Sequence, residues 1–284
     1  MKLSKSQLNT WSKLGPRAMF GQFMIELAKK NKKIIVLTAD LGRSSGLARF
    51  ADQFPDQYLS VGICEQNLIG ISSGLAKEGY KVFITSFAPF LSMRASEQIR
   101  MNLGYMKHNV NVVALGSGVS MGFLGNSHFG LEDIAVMRTI PNLNIICPSD
   151  CLELKKVVED CSSIDRGPTY IRLTGVPGSK IVYEKDYSYK FIDFKTVKEG
   201  NDLLILSYGS ILGEVIDAGG KIGAVEEIGI FATSLKTADG IFIYIPNGSL
   251  LGAAITNFSR NAIRRIDITV GISYSDDITK SKPK

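Results

Sequence analysis

Hydrophobic positions over residues 16–173 follow two alternating patterns. Short apolar runs rich in β-branched residues predict buried parallel strands; they are KKIIVLTAD, YLSVGI, KVFITSF, NVNVVALGS, NLNIICPS and PTYIRL. Segments with helical spacing of apolar residues lie before or between them; they are PRAMFGQFMIELAKKN, ARFADQFPDQY, EQNLIGISSGLAKEG, SMRASEQIRMNLGYM, EDIAVMRTI and DCLELKKVVEDCSS. Because strands and helices alternate, we predict an α/β fold with a doubly wound, mostly parallel sheet.

The pattern changes after Gly178. The segment KEGNDLLILSYGS predicts the first strand of another α/β unit, but no helix is expected behind it. From Gly213 short alternating runs follow, with turn signals at Asp239-Gly240 and at Pro246-Asn247-Gly248. These features predict a small all-β barrel that begins near residue 212.

Composition excludes several classes of protein. With 45% hydrophobic and 21% charged residues, the 284-residue chain is typical of a globular protein. The net charge of +6 is spread along the chain, which favours a solvated basic surface, then anionic substrates, over nucleic acid. The first residues lack the apolar segment of a signal peptide, and no run reaches the roughly 18 apolar residues of a spanning helix. We therefore expect a cytoplasmic location, with the four cysteines as reduced thiols; they are Cys64, Cys147, Cys151 and Cys161.

Glu65 lies where the strand YLSVGI is followed by a helix. The helix macrodipole alone could explain an acid in a first turn. However, Gly70, Ser73 and Gly74 form a face without bulk, where another backbone could approach closely. A carboxyl group desolvated by such a contact is suited to exchange protons at neutral pH.

Four segments carry a resemblance to a known family. SVGICEQNLIGISSGLAKEG, FITSFAPFLSMRASEQIR, NSHFGLEDIAVMRTIPNLNIICPSD and GPTYIRL together resemble the pyrimidine-binding domain of the transketolase family, over about residues 10–210. The similarity is greatest to the C-terminal subunits of split transketolase-like enzymes, and deoxyxylulose-phosphate synthases are also similar. It implies a thiamine diphosphate-dependent transferase that moves a ketol or acyl unit between sugar or keto-acid substrates.

The resemblance implies roles for six residues. Glu65 would contact the aminopyrimidine of thiamine diphosphate, Phe87 and Phe90 would hold that ring, and Asp40 would line the thiazolium side. His128 would move protons near the reacting carbon, and Arg172 would bind a substrate phosphate. Simpler interpretations remain open, namely core phenylalanines, a turn aspartate, a loop histidine and a plain ion pair for arginine. We expect His108 to be a surface residue.

Two departures from the family concern the donor. Transketolases carry a histidine where this chain has Gly116, and an aspartate that holds a donor hydroxyl where it has Leu124. Both differences put the standard ketose-phosphate donor in doubt, and they favour a different two-carbon or acyl donor.

The diphosphate half of the cofactor site is missing from the sequence. The family holds the diphosphate through Mg²⁺ on a Gly-Asp-Gly segment followed by an asparagine, and this chain has no Gly-Asp-Gly. We therefore expect a partner chain, the diphosphate-binding N-terminal subunit, to supply Mg²⁺, and expect no metal ligands here. The pyrimidine-binding domain is expected to form a homo-oligomer.

The C-terminal segment resembles the β domain of small-conductance mechanosensitive channels, with the IPNG turn and the NFSR element in order. No pore-lining helix precedes it, so a pore is not expected. The predicted domains are 1–190 (pyrimidine-binding), 191–212 (remnant of a transketolase C-terminal domain), 213–276 (β domain) and 277–284 (basic tail). A solvated barrel edge is favoured over lipid contact for Arg260, Arg264 and Arg265. The alternatives to an enzyme subunit are a non-catalytic assembly or membrane-associated fusion protein, or a non-functional gene chimera.

Overall fold

A six-stranded parallel sheet organises the first part of the chain. The computed structural model describes residues 4–174, 177–191, 193, 195–199, 205–218, 224–228, 232–236 and 242–246. The strand order is β2-β1-β3-β4-β6-β5, with every pairing parallel. The strands are β1 (Ile34–Thr38), β2 (Tyr58–Ser60), β3 (Lys81–Phe87), β4 (Val110–Leu115), β5 (Asn144–Ile146) and β6 (Thr169–Arg172). The predicted doubly wound α/β fold is confirmed.

Helices cover both faces of this sheet and bury two separate apolar clusters. Alternate residues of each strand enter opposite clusters: Val113 faces the cluster that contains α1 and α6, whereas Val112 faces the cluster that contains α3. The helices are α1 (Lys5–Ala28), α2 (Ala48–Gln53), α3 (Glu65–Lys77), α4 (Ser96–Ile99), α5 (Asp133–Met137), α6 (Cys151–Ser163) and α7 (Ile211–Ala218).

Helix α1 begins earlier than the predicted start at Pro16. Ser4 caps its N-terminus in a capping box with Gln7, so the first turn is satisfied well before the proline. Gly15 interrupts the helix with a φ of 77°, a conformation that a glycine adopts without strain, and Pro16 then starts the second segment.

The segment predicted as one helix over residues 92–106 has a different geometry. It consists of a π-helical turn at Phe90–Arg94, the short α4, and a second π-helical turn at Arg100–Tyr105. The first turn is closed by the amide of Ala95 bonding to the carbonyl of Phe90. Such turns are rare and are frequent at functional sites.

One expectation for the C-terminal region is wrong, and the expected strand before it is tested only in part. Helix α7 follows the segment NDLLILSYGS, although no helix was expected there. Residues 205–208 of that segment are not a strand, while residues 201–204 lie outside the described part. The chain divides into compact units at 1–220 and 221–284, C-terminal to the predicted boundary near 212.

The second unit contains an antiparallel sheet with the order β7-β8-β9. The strands are β7 (Ala224–Ile228), β8 (Ala232–Lys236) and β9 (Phe242–Pro246). The predicted turns at Asp239-Gly240 and Asn247-Gly248, and the arginines of residues 260–265, lie outside the described residues. The three described strands therefore show all-β character. Closure of the barrel and the predicted domain ranges stay predictions.

Candidate functional site

The six predicted site residues lie at one edge of the six-stranded sheet. Asp40 follows β1, Phe87 ends β3 and Arg172 ends β6, while Glu65 and His128 lie in the connections that leave β2 and β4. Because all strands are parallel, their carboxyl ends share this edge, where ligands bind in doubly wound sheets. Phe90 lies in the π-helical turn directly after β3.

Glu65 is the first residue of α3, and its side chain is only 2% exposed. Nη1 of Arg94 donates to its Oε2 at 2.8 Å. The hydroxyl of Ser86, on β3, donates to Oε1 at 3.4 Å, a long hydrogen bond. A desolvated acid is thus found here, but an arginine of the same chain accompanies it.

Phe87, Phe90 and His128 form a three-ring cluster, and Arg94 links this cluster to the Glu65 carboxylate. Each pair meets edge to face, with centroid distances of 5.8 Å between the phenylalanines, and of 5.4 and 5.2 Å from His128 to Phe87 and Phe90. The guanidinium of Arg94 lies over the Phe90 ring, 4.3 Å from its centroid. Phe87 is buried, whereas Phe90 and His128 are half-buried and present ring surface at the sheet edge.

Asp40 is exposed and has a φ of 58°, in the left-handed region that aspartate tolerates. Its charge acts on Tyr58: burial chiefly, and the Asp40 carboxylate next, raise the pKa of the Tyr58 hydroxyl. Asp40 thus lies at the carboxyl edge of the sheet with Tyr58 as its electrostatic neighbour, and its thiazolium role stays a prediction.

Arg172 takes part in a buried ion pair. Its Nε donates to Oδ2 of Asp133 at 2.8 Å, and its Nη2 donates to the carbonyl of Gly130 at 3.3 Å. The Asp133 side chain is fully buried, and the hydroxyl of Tyr170 donates to the same Oδ2 at 3.2 Å. The plain ion pair considered for Arg172 is therefore observed, and its substrate role stays a prediction.

A cavity of about 170 Å³ adjoins Arg172 at the ends of β4, β5 and β6. The buried hydroxyl of Ser117 lines it and has no hydrogen-bond partner among the described residues. Cys147 also lines it, but burial raises the pKa of that thiol to about 11, so the cysteine is protonated at neutral pH. The cavity therefore presents the side chains of Arg172, Ser117 and Asp150, without a reactive thiolate.

The Gly116 departure has a structural basis. Gly116 has a φ of 68°, and a Cβ there would lie 2.6 Å from Cγ of Met121 and 3.2 Å from Cδ1 of Phe87. A histidine would not fit without moving both neighbours. Leu124, at the second departure, is exposed in the loop that precedes His128.

The expected small-residue face of α3 is only partly present. Gly70 and Gly74 are exposed with open space above them, so another chain could approach. Ser73, however, is buried and hydrogen-bonds to Nδ1 of His108. His108 is half-buried, so it lies at the surface as expected but with its Nδ1 engaged by Ser73.

Arg94 and Asp133 are site residues that sequence reasoning missed. Arg94 lies four residues after Phe90, a spacing that suggests cation–π contact on a helix, but the predicted helix began only at residue 92. Asp133 pairs with a residue 39 positions away, which no local pattern indicates. Among the described residues, no group of three or more His, Cys, Asp and Glu side chains could hold a metal ion.

Comparison with known proteins defines the class. The family model of the transketolase pyrimidine-binding domain matches residues 12–175. The putative transketolase C-terminal section of Methanocaldococcus jannaschii is 38% identical, over 79% of this chain and 70% of its own length. An apulose-4-phosphate transketolase subunit from Phocaeicola vulgatus is 37% identical, over 72% and 65%. A solved split-gene transketolase, an inactive β4 tetramer, is 34% identical with a TM-score of 0.64, over 73% and 69%.

The chain therefore belongs to the transketolase family, as a C-terminal subunit of the split type. The family is thiamine diphosphate-dependent, and the chain is a transketolase-like transferase subunit. The predicted resemblance is confirmed on this point.

A second family model, the mechanosensitive ion channel β-domain, matches residues 204–260. Strands β7, β8 and β9 lie within that range. Among the described residues, no helix has both the length and the apolar character needed to cross a membrane. The predicted similarity of this segment to the channel domain is confirmed as a sequence match.

Proposed function

We propose that this chain supplies the pyrimidine-binding half of a thiamine diphosphate site in a two-chain transketolase-like carboligase. The observation that carries the proposal is the buried Glu65 carboxylate, which Arg94 links to the ring of Phe90, in contact with His128 at the carboxyl edge of the sheet. Oε1 of Glu65 has only one long hydrogen bond among the described residues, so it retains acceptor capacity for a protonated ring nitrogen. The site therefore fits an aromatic, hydrogen-bonding heterocycle.

Each protein residue has a distinct task in this proposal. Thiamine diphosphate, when bound, supplies the stabilised carbanion chemistry needed to break and form carbon–carbon bonds. Glu65 holds a proton at a pyrimidine nitrogen, and Phe87 and Phe90 orient the ring. His128 moves a proton at the substrate. Its contacts with both phenylalanines, which put it beside the proposed ring site, support this role. Asp40 lines the thiazolium side.

The diphosphate and its Mg²⁺ are assigned to a partner chain. The absence of Gly-Asp-Gly from the sequence supports this assignment. The relative from Phocaeicola vulgatus is named as a subunit, and the solved split-gene relative is a tetramer. The open space above Gly70 and Gly74 supports an interface with a second copy of this chain. A cytoplasmic location is part of this proposal.

The substrate proposal concerns the loop that carries His128. Transketolases have a histidine and an aspartate at the positions of Gly116 and Leu124, so this chain lacks both polar groups there. Exposed apolar side chains of Val119, Phe123 and Leu124 line this loop instead. We therefore assign a donor with less hydroxylation than a ketose phosphate, such as a 2-keto acid, with the cavity beside Arg172 taking an anionic group.

The test is a co-purification followed by reconstitution. The chain is isolated gently from its native source, and a Gly-Asp-Gly-containing partner is identified by mass spectrometry. Glu65→Gln and the control Glu97→Gln are then assayed with ketose phosphates and 2-keto acids as donors. Glu97 suits the control because it is an exposed glutamate paired to an arginine, Arg100.

We expect Glu65→Gln to lower kcat at least about 100-fold, because general acid–base groups contribute about 10²–10⁴-fold. Glu97→Gln should retain full activity. Full activity of Glu65→Gln would overturn the assignment. Isolation of the chain alone would favour the alternatives, a non-catalytic assembly or fusion protein or a gene chimera.

A further inference from the structure

Both the backbone and the side chain of Arg94 are held by contacts in the site. Its carbonyl accepts a hydrogen bond from Nε2 of Gln66 at 3.1 Å, so the start of α3 fixes its backbone. Its guanidinium bonds Glu65 and lies over Phe90 at 4.3 Å. The π-helical turn Phe90–Arg94 places Phe90 and Arg94 on the same side. Arg94 is thus a built-in part of the site, although its side chain is 46% exposed.

The two oxygens of Glu65 have different partners. Oε2 accepts a charge-assisted hydrogen bond of 2.8 Å from Arg94, while Oε1 has only the Ser86 hydroxyl at 3.4 Å among the described residues. A buried carboxylate requires an opposite charge, and Arg94 supplies it from the rim of the site. Oε2 of Glu65 is therefore occupied by Arg94, whereas Oε1 can accept a further hydrogen bond.

We infer that Arg94 is the positioning residue for Glu65: it holds Oε2 and leaves Oε1 as the acceptor for a pyrimidine nitrogen. This inference rests on the proposed function. Without Arg94 the carboxylate would lose its charge partner and could rotate, so the ring nitrogen would no longer meet a fixed acceptor. Loss of Arg94 should therefore weaken recognition of the pyrimidine nitrogen more than it weakens binding of the diphosphate.

The test measures discrimination between two ligands in the reconstituted complex. Calorimetry gives the affinity for thiamine diphosphate and for an analogue in which the ring nitrogen facing Glu65 is replaced by CH. The variants are Arg94→Met, Arg94→Lys, Glu65→Gln and the double variant, with Arg100→Met as control. Arg100 also pairs with a glutamate, but both side chains are more than half exposed.

We expect the wild-type complex to prefer the cofactor by about 10- to 100-fold, the range of one well-placed buried hydrogen bond. Arg94→Met should abolish this preference, and the double variant should be no worse than Glu65→Gln, because both act on the same contact. Arg94→Lys should retain part of the preference, since lysine keeps the charge without the planar fork. Arg100→Met should match wild type.

The possible failures are distinguishable. If the wild-type complex binds neither ligand, the proposed function and this inference are both overturned. If it discriminates and Arg94→Met discriminates equally, only the inference is overturned. Tighter cofactor binding by Arg94→Met would also overturn it, since Arg94 would then obstruct the site. Thermal melts identify a variant that fails to fold, and Arg94→Lys then decides the question.

Discussion

Nε of Arg172, at the end of β6, donates to Oδ2 of Asp133, at the start of α5, at 2.8 Å. The carboxylate is fully buried, and the arginine side chain is 18% exposed. The pair joins two segments at the edge of the sheet that carries the candidate site. Arg172 therefore has a structural role in addition to its proposed role in substrate binding.

Replacing Arg172 by methionine should lower the free energy of unfolding by about 3–5 kcal/mol, because it leaves a buried carboxylate without its cation. Chemical denaturation of the full chain measures the change. Arg166→Met is the control, since the Arg166–Asp160 pair has side-chain exposures of 33% and 13% and should cost less. Equal losses in both variants would contradict the buried-pair interpretation.

A set of glycine-to-alanine variants should separate backbone strain from crowding. Gly116 has both a positive φ and a close neighbour, Gly125 has a φ of 78° with open space, and Gly122 has open space without a positive φ. We expect losses of about 1–3 kcal/mol for Gly125→Ala, because its φ of 78° and ψ of −172° lie in a region that is essentially restricted to glycine. Gly116→Ala should lose more and Gly122→Ala little. Denaturation midpoints measure the order, and a tolerated Gly116→Ala would contradict the crowding by Met121.

The four cysteines should differ in reactivity. Cys64 is exposed, whereas burial raises the pKa of Cys147 to about 11 and those of Cys151 and Cys161 to about 12. Because the thiolate is the reactive form, iodoacetamide at pH 8 should label Cys64 first. Peptide mass spectrometry measures the order, with the urea-unfolded chain as control. Labelling of Cys151 as fast as Cys64 would show that α6 opens readily.

The carboxyl group of Asp150 should make the stability of the chain depend on pH. Its Oδ1 caps α6 at the amide of Glu153, and its Oδ2 accepts the amides of Val182 and Tyr183 at 3.0 and 2.9 Å. Burial nevertheless raises the pKa of Asp150, since desolvation outweighs these hydrogen bonds.

The folded chain therefore keeps a proton on Asp150 that the unfolded chain releases near its ordinary pKa of about 3.9. The free energy of unfolding should fall as pH rises from that value through the folded pKa. Asp150→Asn has no carboxylate at this position, so the stability of wild type relative to this variant should decline over that window. Urea denaturation at several pH values measures the difference. A relative gain by wild type would mean that the amide hydrogen bonds outweigh burial.

The sheet could be predicted because its signals are local. The run KVFITSF coincides with β3, and the helix predicted from Glu65 forms α3. The π-helical turn at Phe90–Arg94 could not be predicted, since the turn packs on α3 and α5, which lie elsewhere in the sequence. Helix α7 is not predicted, because its apolar residues continue directly into the β-rich segment that starts at Gly213.

The sequence by itself determined the alternation of strands and helices, the family, and the placement of Phe87 at a strand end and of Glu65 and His128 in connections after strands. Periodicity and motif order are properties of neighbouring residues, so they can be recognised without the fold. Only the tertiary structure decided which side chains meet. Arg94 reaches Glu65 across 29 positions and Asp133 reaches Arg172 across 39. Such pairs form when separate strands bring their ends to one edge of the sheet. A buried charge there needs an opposite charge close by, and a local sequence pattern does not show which residue will supply it.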